Sequence, residues 1–300
     1  MQVTRQTKVG LLGPFGTYSH EVASGFFGGE AHYHAVANIQ GVFQSLAAGQ
    51  VDYGVVPQEN TIFGSVIETY DSLRLYGDTF VRGELILPVD HCLLVKTGVQ
   101  LGDIVEVLSH EQALGQCANF VRQHLPNAST QATASTAAAA RMLLDRPPTS
   151  AAISSRACAN IYDGLEVLRE GIQRDEANFT RFYVLTRRRN VPIPSLPDTP
   201  NSRRKGLLRI INKSPTSLSS SQGDILAALN QLSTEMEVVR IDRRPAQEGV
   251  PFQDLYFTEV QGSNPSPSAP VLEGVWDELL DSFVSKVKKL GFEASVMGSW

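Results

Sequence analysis

Apolar positions along the first 190 residues alternate between a strand rhythm and a helix rhythm. Lys8-Val9-Gly10-Leu11-Leu12 predicts a short strand, and the glycine-punctuated Gly13-Pro14-Phe15-Gly16-Thr17 leads into a helix over about 18–27. A second strand follows at 32–36. Asn38 then caps a helix whose Ile39, Val42, Phe43 and Leu46 fall at i, i+3, i+4 and i+7, ended by Gly49. Tyr53-Gly54-Val55-Val56 predicts a buried strand stopped by Pro57. The middle of the chain repeats this grammar. It predicts a strand over 105–109, a helix over 112–125, and an alanine-rich helix over 136–144 capped by Ser135. A strand at Ala151-Ala152-Ile153, a helix opened by Ser155 and a β-rich run over 179–186 complete the series. Such alternation predicts mostly parallel sheets covered by helices, arranged here as two α/β lobes around a cleft.

Residues 190–202 hold four of the sixteen prolines (Pro192, Pro194, Pro197 and Pro200) and lose all periodicity, which predicts a linker. Beyond it, strand signals at 206–212, 237–241, 254–261 and 292–297 enclose helix signals at 224–232 and 272–290. That β-α-β-β-α-β order predicts a ferredoxin-like unit. The expected organisation is a first region over 1–190, a linker over 191–204 and a terminal domain over 205–300. Within the first region, one lobe takes about 1–88 plus 177–190 and the other about 89–176.

Composition narrows the function classes. At 42% hydrophobic and 19% charged, 300 residues can fill several cores. A net charge of −5 without a long basic face argues against a nucleic-acid partner. The longest apolar stretch, around 85–95, is cut by Pro88, Asp90 and His91, so no membrane partner is expected. The first residues show neither a secretory h-region nor a transit-peptide composition. Cys92, Cys117 and Cys158 are few and far apart. A reduced, cytoplasmic protein is the expectation, with no disulfide framework and no metal site.

Four polar clusters fall where predicted strands end. Gly13-Pro14-Phe15-Gly16-Thr17-Tyr18-Ser19 joins a strand to a helix start, where glycines admit close backbone approach and free N–H groups favour an anion. It lacks the G-x-G-x-x-G spacing and a P-loop lysine, so a nucleotide is not expected. Pro57-Gln58-Glu59-Asn60-Thr61-Ile62-Phe63-Gly64 follows a buried strand, the place where open α/β sheets bind ligands. Glu59 reads either as an acid-base group or as a charge at a helix start. Ser109-His110-Glu111-Gln112-Ala113-Leu114-Gly115-Gln116 is a third strand-to-helix passage. In the fourth, Asn178-Phe179-Thr180-Arg181-Phe182, alternation puts Thr180 and Phe182 on one strand face and Arg181 on the other.

In this order the clusters resemble the prephenate dehydratase family. Its G-P-x-G-[TS]-[FY]-S is met by 13–19 and its D-Y-x-V-V-P-x-E-N-[ST]-x-x-G by 52–64. Its S-H-P-Q-A-L-x-Q-C is met by 109–117, with Glu111 where proline is usual, its A-A-I-x-S by 151–155, and its N-x-T-R-F by 178–182. The likeness covers residues 8 to 187. The terminal domain is similar to the family's ACT regulatory domain: Ile241-Asp242-Arg243-Arg244-Pro245 resembles I-E-S-R-P, and Gly223-Asp224-Ile225 stands where G-A-L is expected. Asp224 there sets a carboxylate against that of an incoming amino acid.

The resemblance implies an α/β fold with a two-lobed, periplasmic-binding-protein-like catalytic region of parallel and mixed sheets, followed by a ferredoxin-like βαββαβ ACT domain. It implies a carbon–oxygen lyase of phenylalanine biosynthesis that removes water and carbon dioxide from prephenate to give phenylpyruvate, with no cofactor. Thr180 is the implied catalytic residue. Thr17, Ser19, Asn60, Thr61, Gly64, Gln112, Ser155, Arg181 and Phe182 are implied to bind substrate. Phenylalanine is the implied effector, at Gly223, Asp224, Ile225, Arg243, Arg244 and Pro245, in a homodimer or homotetramer built through the ACT domains. Arogenate dehydratase and a non-catalytic aromatic-amino-acid sensor are the competing readings. No chorismate mutase segment precedes Lys8, so a monofunctional enzyme is expected.

Overall fold

A computed structural model describes residues 6–174, 177–194, 204–212, 225, 228–230, 236–246, 253–262 and 273–300. Its first sheet gathers strands from three separate parts of the chain. The parallel trio β1 (Lys8–Leu12), β2 (His32–Val36) and β3 (Tyr53–Asn60) forms one side, with β1 in the middle. Helix α1 (Tyr18–Phe27) and helix α2 (Ile39–Ala47) make the crossovers; Asn38 caps α2 as expected, its side chain accepting from the Gly41 N–H, and Thr17 caps α1 by accepting from the His20 N–H. The returning strand β11 (Phe179–Thr186) runs antiparallel between β3 and β5 (Phe80–Pro88).

Pro57 does not stop β3. The strand runs on to Asn60, because a bulge opposite Arg181 and Phe182 absorbs the residue between Glu59 and Pro57, where proline has no N–H to give. A tight reversal then places β4 (Gly64–Ser65) back against β3, with Gly64 at φ 77°, a conformation open to glycine. Helix α3 (Ile67–Leu75) follows.

The second sheet orders its strands β10-β6-β9-β7-β8: β6 (Cys92–Lys96), β7 (Glu106–His110), β8 (Ser129–Thr133), β9 (Ser150–Ser154) and β10 (Leu165–Arg169). Its helices are α4 (Glu111–Gln116), α5 (Ala118–His124), α6 (Thr136–Leu143) and α7 (Arg156–Ile161). The single helix expected over 112–125 is broken at Cys117, whose backbone leaves helical geometry at φ −96° and ψ 5° while its thiol stays buried. Burial pushes the thiols of Cys92 and Cys117 up to about 12, so these are packing residues rather than nucleophiles. Two segments cross between the sheets, 88–91 and 177–178, and they are tied together where the Val89 amide donates to the Asn178 carbonyl at 2.8 Å.

The terminal strands β12 (Lys205–Asn212), β13 (Met236–Pro245), β14 (Asp254–Gly262) and β15 (Phe292–Ser299) pair in the order β13-β14-β12-β15, all antiparallel. That is a ferredoxin-like sheet. Helix α8 (Glu273–Lys289) lays Trp276, Leu280, Phe283 and Val287 on one face, where they pack with Leu208, Tyr256 and Ile225. The other face carries Leu207, Leu255, Phe257 and Met297 into one core with Phe43, Leu46, Tyr70 and Tyr183. The two sheets fuse where β15 meets β5 at Gly298 and Val81; a Cβ on Gly298 would lie 2.7 Å from that of Val81. Gly223 and Asp224 lie outside the described residues. Among those described, no helix is long and apolar enough to cross a membrane.

Candidate active site

Strand direction concentrates polar side chains at one end of both sheets. β1, β3 and β5 finish at the end where β11 begins, so the loop after Leu12, the reversal after Asn60, the crossing after Pro88 and Thr180 share one rim. Across from it, β7 and β9 finish at His110 and Ser154, beside the start of β6 at Cys92. This is the carboxyl-end crevice expected of open α/β sheets.

Asn60 organises the rim. Its Oδ1 accepts the backbone N–H groups of Ile62 and Phe63 at 3.0 and 3.2 Å, which fixes the amide. Its Nδ2 then faces three acceptors, Asn178 Oδ1 at 2.9 Å, Thr180 Oγ1 at 3.0 Å and the Phe179 carbonyl, already served by the Thr61 N–H, at 3.1 Å. Accepting from Asn60 leaves the Thr180 hydroxyl hydrogen for another acceptor. Asn178 is 2% exposed. Its Nδ2 donates to Gln116 Oε1 at 3.3 Å, and that oxygen also lies 2.6 Å from His91 Nε2. His91 Nδ1 is in turn 2.8 Å from Tyr18 Oη. Burial lowers the pKa of His91, partly offset by Gln116 and Asp90, and raises that of Tyr18 well above its ordinary value. Phe15, Ile62, Phe63 and Phe179 present exposed apolar surface beside these polar groups.

The remaining expected contacts divide. Thr61 braces the second crossing: its hydroxyl donates to Ala177 O at 2.8 Å and accepts from the Phe179 N–H at 3.0 Å. Gly64 shapes the reversal. Thr17 spends its hydroxyl on Leu12 O at 2.8 Å and on capping α1, and Ser19 is buried within that helix. Ser155 donates to Gly16 O at 3.0 Å, so it joins the two sheets' domains rather than facing open space. Gly16, expected to admit a ligand, instead admits Cys158: a Cβ there would sit 2.5 Å from its Sγ, and φ is 89°. Phe182, 1% exposed, lies in the core with Val9, Leu11 and Val184. Gln112 is exposed in the first turn of α4, and the residue that reaches the network is Gln116, one turn on. The repeat of i, i+4 along that helix was the available signal, since it puts both glutamines on one face.

Arg181 leaves the crevice altogether. Strand alternation turns it to the opposite face of β11, where its Nη1 lies 3.6 Å from Glu259 and 3.7 Å from Glu84. It lines a cavity of about 450 Å³ with Glu59, Ser65, Lys205, Arg240, Asp242 and Glu259, on the terminal-domain side of the sheet. Glu59 is drawn there too, from within β3 rather than at a helix start, into an ion pair with Arg240. Of the expected effector residues, Ile225 is buried against α8's apolar face. Arg244 grips Asp71 of α3 with two bonds of 2.8 Å, and Pro245 O accepts from Arg74 at 2.7 Å. Arg243 is largely exposed, 3.4 Å from Asp254. Among the described residues no group of three or more His, Cys, Asp or Glu side chains is placed to hold a metal ion.

Comparison with known proteins adds the family. The bifunctional chorismate mutase/prephenate dehydratase of Aquifex aeolicus (strain VF5) is 35% identical over 189 residues, 63% of this chain and 51% of that one. The chain thus spans about half the length of this curated relative. The bifunctional enzyme of Pseudomonas aeruginosa is 30% identical over 293 residues, 98% of this chain and 73% of its own. In fold, the chain is similar to a crystal structure of prephenate dehydratase from Arthrobacter aurescens in complex with L-Phe, with a TM-score of 0.77 and 24% identity over 98% of this chain and 89% of that one. With the prephenate dehydratase family model matching residues 9–190, which hold the whole hydrogen-bonded rim, the chain belongs to the prephenate dehydratase family.

Proposed function

We propose that the chain converts prephenate to phenylpyruvate, carbon dioxide and water, as a carbon–oxygen lyase of phenylalanine biosynthesis. The observation that carries the reading is the Asn60–Thr180 pair at the crevice rim. In this reaction the ring C–CO2 bond breaks, its electron pair moves through the ring diene, and the ring hydroxyl leaves from the far carbon. The departing oxygen gathers negative charge and takes up a proton to become water. With Asn60 N–H directed at its oxygen, the Thr180 hydroxyl is oriented as a donor to that leaving group. One positioned donor of this kind is worth about 10²–10³ in rate. The carboxylates of the dianion would meet the positive end of α1 and backbone N–H groups of the rim rather than Arg181. Phe63 and Phe179 offer apolar surface for the ring.

The terminal sheet is proposed as an ACT domain that binds phenylalanine near 223–225 and 243–245 and pairs with a second copy in a cytoplasmic homodimer or homotetramer. The ferredoxin-like strand order and the phenylalanine-bound state of the Arthrobacter relative support that reading. Two assays test the proposal. Steady-state turnover, followed by phenylpyruvate absorbance, is expected to show a higher kcat/KM for prephenate than for arogenate; the reverse order would make the chain an arogenate dehydratase, and no product from either would leave a sensor. Phenylalanine is expected to lower turnover and raise the melting temperature, and absence of both effects would refute the effector site.

A further inference from the structure

The donors and acceptors of the rim network can be ordered without reference to which atom of each amide was named oxygen. The backbone sets the order. Two peptide N–H groups, from Ile62 and Phe63, face one atom of the Asn60 amide, and only an oxygen can receive both. The NH2 of Asn60 must then face Asn178, at 2.9 Å, so Asn178 presents its oxygen there and its own NH2 to Gln116. Gln116 in turn must present its oxygen. That oxygen lies 2.6 Å from His91 Nε2, which therefore carries the hydrogen. His91 is 3% exposed, and burial disfavours its charged form, so in the neutral ring Nδ1 is bare and faces the Tyr18 hydroxyl at 2.8 Å, whose one hydrogen it shares with the Asp90 carbonyl. Asp90, whose carbonyl lies 3.1 Å from the same hydroxyl, and Gln173, which accepts the His91 N–H at 2.8 Å, hold the crossing segment in place.

The polarity thus runs from Tyr18 on α1, through the 88–91 crossing, to α4 of the second sheet, and meets at Gln116 the polarity that starts from Asn60. Two N–H groups converge on the Gln116 oxygen, and nothing in this network uses its NH2. We propose that His91 is a positioning residue: as the neutral Nε2–H imidazole it turns the Gln116 carboxamide so that the oxygen faces the chain and the NH2 is presented to the substrate. The substrate part rests on the prephenate reading, and the tautomer part does not. A carboxamide free to flip would present its oxygen to an anionic substrate for part of the time, a like-charge contact where a donor is needed.

The test has two arms. Long-range ¹H–¹⁵N spectra of histidine-labelled protein at pH 7.5 read the tautomer directly, and His91 is expected as the neutral Nε2–H form, assigned by its loss in His91→Gln. An Nδ1–H form or an imidazolium there would overturn the proposal whether or not prephenate is turned over. Kinetics read the positioning. His91→Gln keeps a donor near the Nε2 position, whereas His91→Asn keeps a polar atom only toward Tyr18, so kcat is expected to fall by about 10–100-fold in the asparagine variant and by about threefold or less in the glutamine variant. Equal losses in both, with both melting as the parent does, would show that the donor to Gln116 does not matter and would overturn the positioning role. If the parent turns over neither prephenate nor arogenate, the functional reading fails separately, and the spectrum still decides the orientation of Gln116.

Discussion

Arg181 offers the sharpest contrast between a sequence-level role and a structural one. It adjoins Thr180, so a substrate-carboxylate clamp is the natural expectation, and loss of a charge-assisted pair worth about 1.5–3 kcal/mol would raise KM roughly 10–150-fold. The structure instead sets it among Glu84, Glu259 and Lys205. Lys205 Nζ lies 2.7 Å from Glu84 and 3.3 Å from Glu259, and Tyr183 donates to Glu259 at 3.2 Å. Glu259 is 1% exposed, so in Arg181→Met two carboxylates would share one ammonium. Stripping a buried ion of its sole partner costs about 3–5 kcal/mol. Arg181 is 29% exposed and Lys205 remains, which scales the cost to about 1–2 kcal/mol. A melting temperature lower by about 2–8 °C is expected by scanning calorimetry, with KM for prephenate within about threefold of the parent. A KM raised tenfold or more with an unmoved melting temperature would refute the placement and restore the clamp.

Other expected outcomes follow from the same geometry. Thr180→Ala should lower kcat by about 10²–10³ with little change in KM, and Thr180→Ser should restore most of it; a kcat within about threefold of the parent would make the threonine structural. Gly298→Val should destabilise by about 1–3 kcal/mol or more through overpacking against Val81, read as a lower urea midpoint. Glu21, on α1, has an Oε2 without a hydrogen-bond partner, and burial raises its pKa. Since the folded carboxyl holds its proton more tightly than the unfolded one, its ionisation costs stability once pH exceeds the unfolded value of 4.5. Glu21→Gln is therefore expected to melt higher at pH 7.5, with the gain shrinking as pH falls toward 4.5; a gain that grew on acidification would reverse the sign.

The elements readable in advance were those where period and punctuation agree. Asn38 with Ile39, Val42, Phe43 and Leu46 marks both the cap and the buried face of α2, and β11 lies at Phe179–Thr186 as its β-rich run implies. Legibility failed where one apolar run serves two sheets. The stretch from Leu85 to Val95 carries the end of β5, the crossing and most of β6, so neither strand stands out alone. Helix α3 was hidden because its buried face mixes Tyr70 and Leu73 with Thr69 and Ser72 while Ile67 and Leu75 are exposed, which blurs the amphipathic pattern. At the site, alternation along 178–182 correctly separated Arg181 from Thr180. What it does not reveal is that the opposite face of β11 is roofed by the terminal domain, nor that Phe182 points into a core. His91 and Tyr18 were invisible for a different reason, since their roles come from partners 25 and 73 positions away.

The joint at Gly298 gives β5 a mechanical character. One end of this strand abuts the last strand of the terminal sheet, and the other runs out through Pro88 into the segment that holds His91. Nine residues of extended, hydrogen-bonded backbone are stiff along their length and yield mainly by twisting. A tilt of the terminal sheet about its seam would press on β5 at the Gly298 contact, and the His91 peptide lies only three residues beyond the far end of that strand. One strand thus runs from a glycine contact with the terminal sheet at one end to the segment that carries the rim's imidazole at the other.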